Sequence, residues 1–137
     1  MVERFAVYGT LRPKASAEPR HLLEAGLLVN EGAMTLNGWQ MFSLGGYPGI
    51  KESEDRDDLI VVNILRRGEE CSDEQWQSII SGFDRYEGYR EADKRASLYL
   101  RHRVHTTNGP AYIYVYNHPT DGRERIEDGD WLSYRYR

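Results

Sequence analysis

The stretch Ser72-Asp73-Glu74-Gln75-Trp76 opens the clearest helix of this sequence and separates two groups of strand-like segments. Its first four residues have the S-x-x-Q form of a capping box, in which two side chains satisfy free backbone N–H groups at the helix start. Apolar residues then recur at helical spacing, at Trp76, Ile79, Ile80 and Phe83. Gly88 offers a natural end. The pattern predicts one main helix between Ser72 and Gly88.

Strand-like segments lie on both sides of this helix. Their residue types and lengths are those of strands at Phe5–Tyr8, Gly32–Leu36, Trp39–Leu44, Leu59–Leu65, Leu98–His105 and Ala111–Tyr116. The dipeptide Asn37-Gly38 predicts a hairpin, and His21–Leu28 predicts a short second helix. Gly45–Gly49 is too rich in glycine and proline for regular structure, and the polar tail Asp121–Asp130 is expected to be irregular.

These elements predict an α+β fold, because strands dominate and no regular βαβ alternation occurs. A closed or nearly closed barrel would protect the sheet edges, but the pattern alone does not separate a barrel from a sandwich. We expect a small mixed, barrel-like sheet with one main helix and a short second helix. A chain of 137 residues without a Pro/Ser-rich linker predicts a single domain over residues 1–137.

Composition limits the classes of partner. A net charge of −4 argues against general binding of nucleic acid, which needs a basic face. No apolar run is long enough for a membrane span, and Met1–Phe5 does not begin a secretory signal. Cys71 is the only cysteine, which suits a reducing compartment and favours a cytoplasmic location. Without heptads or a large apolar face, we expect a monomer.

Residue spacing disfavours several kinds of active site. His102 and His105 lie three apart in a predicted strand and therefore point to opposite faces. Cys71 has no neighbouring cysteine or histidine, so neither a metal site nor a cysteine nucleophile is favoured. The Gly9–Arg12 turn lacks the remaining residues of a phosphate-binding P-loop.

Two places can carry chemistry. In the turn Tyr8-Gly9-Thr10-Leu11, glycine lets backbone N–H groups approach a carboxylate or a developing oxyanion, although an ordinary turn has the same spacing. Glu87 follows Tyr86 at the predicted helix end, where the helix dipole and partial burial would both raise the pKa of a carboxyl group. A raised pKa suits a general base that later acts as an acid. A solvated glutamate at a frayed helix end is the alternative.

The motifs taken together resemble the γ-glutamylcyclotransferase-like family, in particular the small branch that includes γ-glutamylamine cyclotransferase. The resemblance covers the whole chain and rests on the order of five motifs: Val7–Leu11, Gly46–Gly49, Asp84–Gly88, Tyr99–Arg101 with the tyrosine-bearing Ala111–Tyr116, and the closing Gly129-Asp130-Trp131. The stretch Arg12–Pro19 and the strand after Asp55–Asp58 depart from the family pattern. Both departures concern the pocket rim and the leaving group rather than Glu87.

The resemblance implies a small barrel-like fold and an enzyme that cyclises the γ-glutamyl group of a small molecule to 5-oxoproline, without a cofactor or metal. Glu87 would then be the catalytic proton acceptor, and Tyr8, Gly9, Thr10 and Leu11 would bind the γ-glutamyl group. Two other functions stay open. One is a binding module that holds a γ-glutamyl-like ligand without turnover, and the other is an interaction domain that uses a tyrosine-rich surface.

Overall fold

The computed structural model describes residues 2–13 and 19–135. Part of the divergent stretch Arg12–Pro19 and the extreme ends of the predicted domain 1–137 therefore lie outside the described residues. The described strands are β1 Arg4–Val7, β2 Leu28–Asn37, β3 Trp39–Ser43, β4 Pro48–Glu52, β5 Leu59–Arg67, β6 Tyr99–Thr106, β7 Gly109–Tyr116 and β8 Arg125–Ile126. The helices are α1 Arg20–Glu24, α2 Asp73–Glu87, α3 Trp131–Arg135 and a 3₁₀ helix at Glu91–Ala96.

The strands form two sheets. The larger has the order β2-β5-β1-β7-β6, and the smaller has the order β4-β3-β8. All neighbouring strands are antiparallel except β1 and β7, which run parallel. The short β1 therefore lies in the centre of the larger sheet, and the turn that follows it emerges among the interior strands.

Helix α2 begins and ends where the sequence predicts. The Ser72 side chain accepts a hydrogen bond from the Gln75 N–H at 3.1 Å, and the Gln75 side chain accepts one from the Ser72 N–H at 2.9 Å. Gly88 ends the helix in the left-handed conformation with φ 70°, which costs glycine little. The capping box and the glycine thus fix both ends of the helix that carries Glu87.

The core lies on both faces of the larger sheet, because successive residues of β1 point in opposite directions. Phe5 packs against α2, with its ring centroid 5.5 Å from that of Trp76 and 4.8 Å from that of Phe83. Ala6 belongs to a second buried cluster with Met41 of the smaller sheet. The larger sheet is therefore covered by a helix on one face and by the smaller sheet on the other.

The α+β class is confirmed, and the sheet is curled rather than closed, since β2 and β6 do not pair within the described residues. Two local expectations are wrong: regular structure resumes at Pro48 inside the glycine-rich segment, and β8 lies within the polar tail. The short helix α3 was not predicted from the sequence. The strands β4 and β8 are recognisable only by their pairing with β3, because neither has a strand-like composition.

None of the described helices has the length and apolar character needed to span a membrane. In the same part of the chain, no three His, Cys, Asp or Glu side chains are grouped so that they could hold a metal ion.

We predict that Ser72→Ala lowers the free energy of unfolding by about 1 kcal/mol, because the Gln75 backbone N–H loses the hydroxyl oxygen that accepts its hydrogen bond. Urea denaturation followed by circular dichroism measures the change. Ser81→Ala is the control, since Ser81 is exposed on the same helix. Equal stability of the two variants would show that the cap contributes nothing.

Candidate active site

Glu87 is the last residue of α2 and is half-buried. Its place is fixed from both sides. The Tyr89 N–H donates to the Asp84 carbonyl at 2.8 Å, which completes the last helical turn, and the Leu98 N–H donates to the Gly88 carbonyl at 2.9 Å, which ties the start of β6 to the helix end. The frayed helix end that the sequence left open is therefore not what the structure contains.

Burial raises the pKa of the Glu87 carboxyl group to about 7. The physical cause is desolvation, which disfavours the charged form. Among the described residues this carboxyl group has neither an ion pair nor a hydrogen-bond donor that would stabilise the charge. A carboxyl group in this state is half-ionised near neutral pH and can both accept and return a proton.

The turn after β1 lies beside the end of α2. The Tyr86 hydroxyl donates to Thr10 Oγ1 at 3.0 Å, and this bond joins the turn to the residue that precedes Glu87. Gly9 and Leu11 are buried, and their backbone N–H groups find no acceptor among residues 2–13 and 19–135. Buried N–H groups are normally paired, so this turn has two donors that an anionic group could use.

Position 9 requires glycine because Pro48 lies too close for a side chain, and not because of the backbone angles at this position. A Cβ atom at this position would lie 2.8 Å from Pro48 Cγ and 2.9 Å from Pro48 Cδ, which is closer than real Cβ contacts. Pro48 begins β4, and the Tyr99 hydroxyl donates to its carbonyl oxygen at 2.5 Å. The segment Gly46–Gly49 is thus held against the first turn.

Three buried tyrosines are electrostatically coupled to Glu87. Burial raises the pKa of Tyr8, Tyr99 and Tyr114, and the negative charge of Glu87 raises the pKa of each one further. Such coupling grows as the distance between two groups falls. The Tyr8 hydroxyl donates to the Tyr114 carbonyl oxygen at 2.5 Å. Tyr8 also belongs to the same turn as Thr10, which bonds to the neighbour of Glu87.

The nearest ion pair on α2 does not include Glu87. Arg101 of β6 pairs with Asp84 at 2.6 Å, and Tyr114 donates to the other oxygen of the same carboxylate at 2.7 Å. The Arg101 guanidinium also lies over the rings of Tyr112 and Tyr89, at 4.6 Å and 5.4 Å. This network anchors the last turn of α2 to the larger sheet.

A groove of about 560 Å³ runs between α1 and α2. Leu11 and Tyr86 form part of its wall, together with Leu22 and Phe83, whereas Glu87 does not line it. Of the predicted binding residues, Leu11 lines this groove, and Tyr8, Gly9 and Thr10 do not.

The family described as "Gamma-glutamyl cyclotransferase, AIG2-like" matches residues 5–133. The chain belongs to this family. A relative in Escherichia coli K12, the γ-glutamylcyclotransferase family protein YtfP, is 31% identical over 130 residues, which are 95% of this chain and 96% of YtfP.

Solved structures of the γ-glutamylcyclotransferase fold are similar over most of the chain. The solution NMR structure of E. coli ytfP has a TM-score of 0.68 and 24% identity, and it covers 96% of this chain and 98% of that protein. The crystal structure of an AIG2-like protein from Mus musculus has a TM-score of 0.58 and 14% identity, and it covers 93% of this chain and 88% of that one. These similarities concern the fold.

The resemblance inferred from the sequence motifs is thereby confirmed, and the roles of individual residues stay predictions. The structure brings four of the predicted residues, Tyr8, Gly9, Thr10 and Glu87, to one end of β1. Sequence reasoning did not find Tyr99 or Pro48 as parts of this site. Their signals were present, as a tyrosine that starts a strand and a Tyr-Pro-Gly segment, but only the fold brings them next to Glu87.

We predict that the Glu87 carboxyl carbon titrates near pH 7 in a ¹³C NMR experiment, because burial raises its pKa from 4.5 to about 7. The Glu87→Gln spectrum assigns the resonance. Since the folded pKa exceeds the unfolded one, the stability linked to this group is complete below pH 4.5 and is lost as pH rises toward 7. The free energy of unfolding of Glu87→Gln should lack this decline. A resonance that titrates at 4.5 would contradict the burial of the carboxyl group.

Proposed function

We propose that the protein cyclises the γ-glutamyl group of a γ-glutamyl amine or γ-glutamyl amino acid to 5-oxoproline and releases the free amine. The observation that carries this proposal is the Glu87 carboxyl group, half-buried, without an ion pair among the described residues, and beside the Gly9–Leu11 turn. Membership of the γ-glutamylcyclotransferase family supports the same reaction class.

The reaction is intramolecular. The α-amino nitrogen of the substrate attacks its own γ-carbonyl carbon, a new C–N bond closes the five-membered lactam, and the bond to the leaving amine breaks. Nucleophile and electrophile are already tethered, and a well-held tethered pair can reach effective molarities on the order of 10⁵–10⁸ M. The protein therefore has to fold the glutamyl chain and move protons.

Glu87 would move those protons. An α-amino group with a pKa near 8 is largely protonated at neutral pH, so its lone pair is free only after a base removes a proton. Glu87 with a pKa of about 7 can take that proton and then deliver it to the leaving nitrogen. Two protons leave the α-nitrogen in one turnover, because an ammonium group has three N–H bonds and the lactam has one. Glu87 would pass both to the leaving nitrogen, which departs as an ammonium, so the carboxyl group ends as it began.

The Gly9–Leu11 turn would hold the negatively charged part of the reacting molecule. The backbone N–H groups of Gly9 and Leu11 are buried donors without protein acceptors among the described residues. Such donors bind a carboxylate or stabilise a tetrahedral oxyanion. The contact of Gly9 with Pro48 supports this role, since it fixes the turn without using these N–H groups.

We predict that Glu87→Gln keeps the fold and lowers kcat for 5-oxoproline formation by about 10²–10⁴-fold, the usual contribution of general acid–base catalysis. The assay is liquid chromatography of 5-oxoproline after incubation with a panel of γ-glutamyl amines and γ-glutamyl amino acids. Glu91→Gln is the matched control, because Glu91 is exposed in the 3₁₀ helix that follows α2. Full activity of Glu87→Gln would remove Glu87 from the mechanism. Ligand binding without 5-oxoproline would indicate a binding module.

We also predict that kcat/KM for the best substrate of that panel rises with pH up to about 7, because only ionised Glu87 can accept the proton. Initial rates between pH 5 and pH 9, in buffers of constant ionic strength, measure this acidic limb. A limb near pH 4.5 would show that the free enzyme uses a carboxyl group with an ordinary pKa.

A further inference from the structure

Two tyrosine hydroxyls near Glu87 donate their hydrogen bonds to backbone carbonyl oxygens. Tyr8 donates to the Tyr114 carbonyl oxygen and Tyr99 donates to the Pro48 carbonyl oxygen, each at 2.5 Å. A carbonyl oxygen carries no proton, so the hydroxyl must be the donor in both bonds. Toward any further group each hydroxyl oxygen is therefore an acceptor, and the Tyr8 oxygen already accepts from the Ile50 backbone N–H with one of its lone pairs.

Both hydroxyls lie close to Glu87. Leu98 is bonded to the Gly88 carbonyl at 2.9 Å, so Tyr99 starts β6 directly beside the end of α2. Tyr8 and Tyr99 are 6% and 4% exposed. The charge of Glu87 raises the pKa of both phenols, and Tyr99 also raises the pKa of Tyr8. Pro48, whose carbonyl oxygen accepts from Tyr99, also packs against Gly9, the neighbour of Tyr8. The two phenols and Glu87 therefore lie at the same end of β1.

Three hydrogen-bond acceptors in one place suit a primary ammonium group. A primary ammonium has three N–H donors and is stabilised most when each of them has an acceptor. One carboxylate and two hydroxyl oxygens supply that set with a single negative charge. A carboxylate ligand would be repelled, because it has no donor for the three acceptors. An apolar ligand would leave all three acceptors without donors.

We propose that Tyr99 is a substrate-binding residue whose hydroxyl oxygen, together with that of Tyr8, accepts hydrogen bonds from the α-ammonium group and holds it against Glu87. This inference rests on the proposed function and adds to it the group that orients the nucleophile. With two N–H bonds held by tyrosines, the third points to Glu87. Glu87 can then take this third proton and free the lone pair for attack on the γ-carbonyl carbon.

The inference separates ligands that differ only in the α-amino group. γ-Glutamyl-n-butylamine carries this group, and the mono-n-butylamide of glutaric acid lacks it but keeps the carboxylate and the amide. Binding is measured by calorimetry in the Glu87→Gln protein, which prevents turnover. Adding Tyr99→Phe should weaken binding of the amino ligand by roughly 10-fold, as expected for a hydrogen bond to a charged group. Binding of the deamino ligand should change by less than about 2-fold, since it has no ammonium group to lose.

The controls separate the failure of this inference from failure of the proposed function. Tyr112→Phe, a change on β7 where the ring lies over Arg101, should alter neither affinity. Tyr8→Phe should reproduce the selective loss if Tyr99→Phe does not fold. Equal losses for both ligands, or no loss, would overturn the role of Tyr99, because the hydroxyl would then only hold Pro48. Failure of the Glu87→Gln protein to bind either ligand would contradict the proposed function itself.

Discussion

The partial burial of one carboxyl group without a cation is the constraint on which the rest of the site depends. Removing a charged carboxylate from water is costly, and proteins usually offset the cost with an ion pair or with donors. Glu87 has neither among the described residues, so its pKa rises to about 7. Such a group stays in place only if the surrounding structure holds it there. The capping box at Ser72, the left-handed Gly88 and the bond from Leu98 together fix the helix end that carries it.

Arg101 is a cation near the end of α2, and its charge is paired with a carboxylate other than that of Glu87. Arg101 pairs with Asp84, one helical turn before Glu87, and lies between the rings of Tyr112 and Tyr89. A guanidinium beside Glu87 would lower the pKa of its carboxyl group and would oppose the entry of an ammonium group. By binding Asp84, Arg101 fastens α2 to the sheet while its charge is satisfied by another carboxylate. Asp84 thus anchors the helix, and Glu87 on the same helix is left for the proposed proton transfer.

The helix and the longer strands could be predicted from the sequence because their signals are local. Ser72 and Gln75 hydrogen-bond to each other within four residues, and apolar residues recur at helical spacing from Trp76 to Phe83. β8 and α3 could not, because Ile126 and Trp131 become regular only through partners far away in the chain. β4 pairs with the nearby β3, but its Pro-Gly start does not have a strand-like composition. The site divides in the same way. Glu87 and the Gly9 turn have motifs of their own, whereas the nearness of Tyr99 to both depends on contacts across two sheets.

Tyrosine side chains are well suited to positions beside Glu87. The proposed binding of an ammonium group beside Glu87 needs further acceptors, but a second carboxylate would repel the first and raise its pKa well above neutral. A phenol whose proton is given to a backbone carbonyl is an acceptor without charge, and burial keeps it neutral by raising its pKa. The bonds from Tyr8 to Tyr114 and from Tyr99 to Pro48 also join the strands that form the site. The same two bonds that hold strands together at this end therefore also leave both hydroxyl oxygens as acceptors.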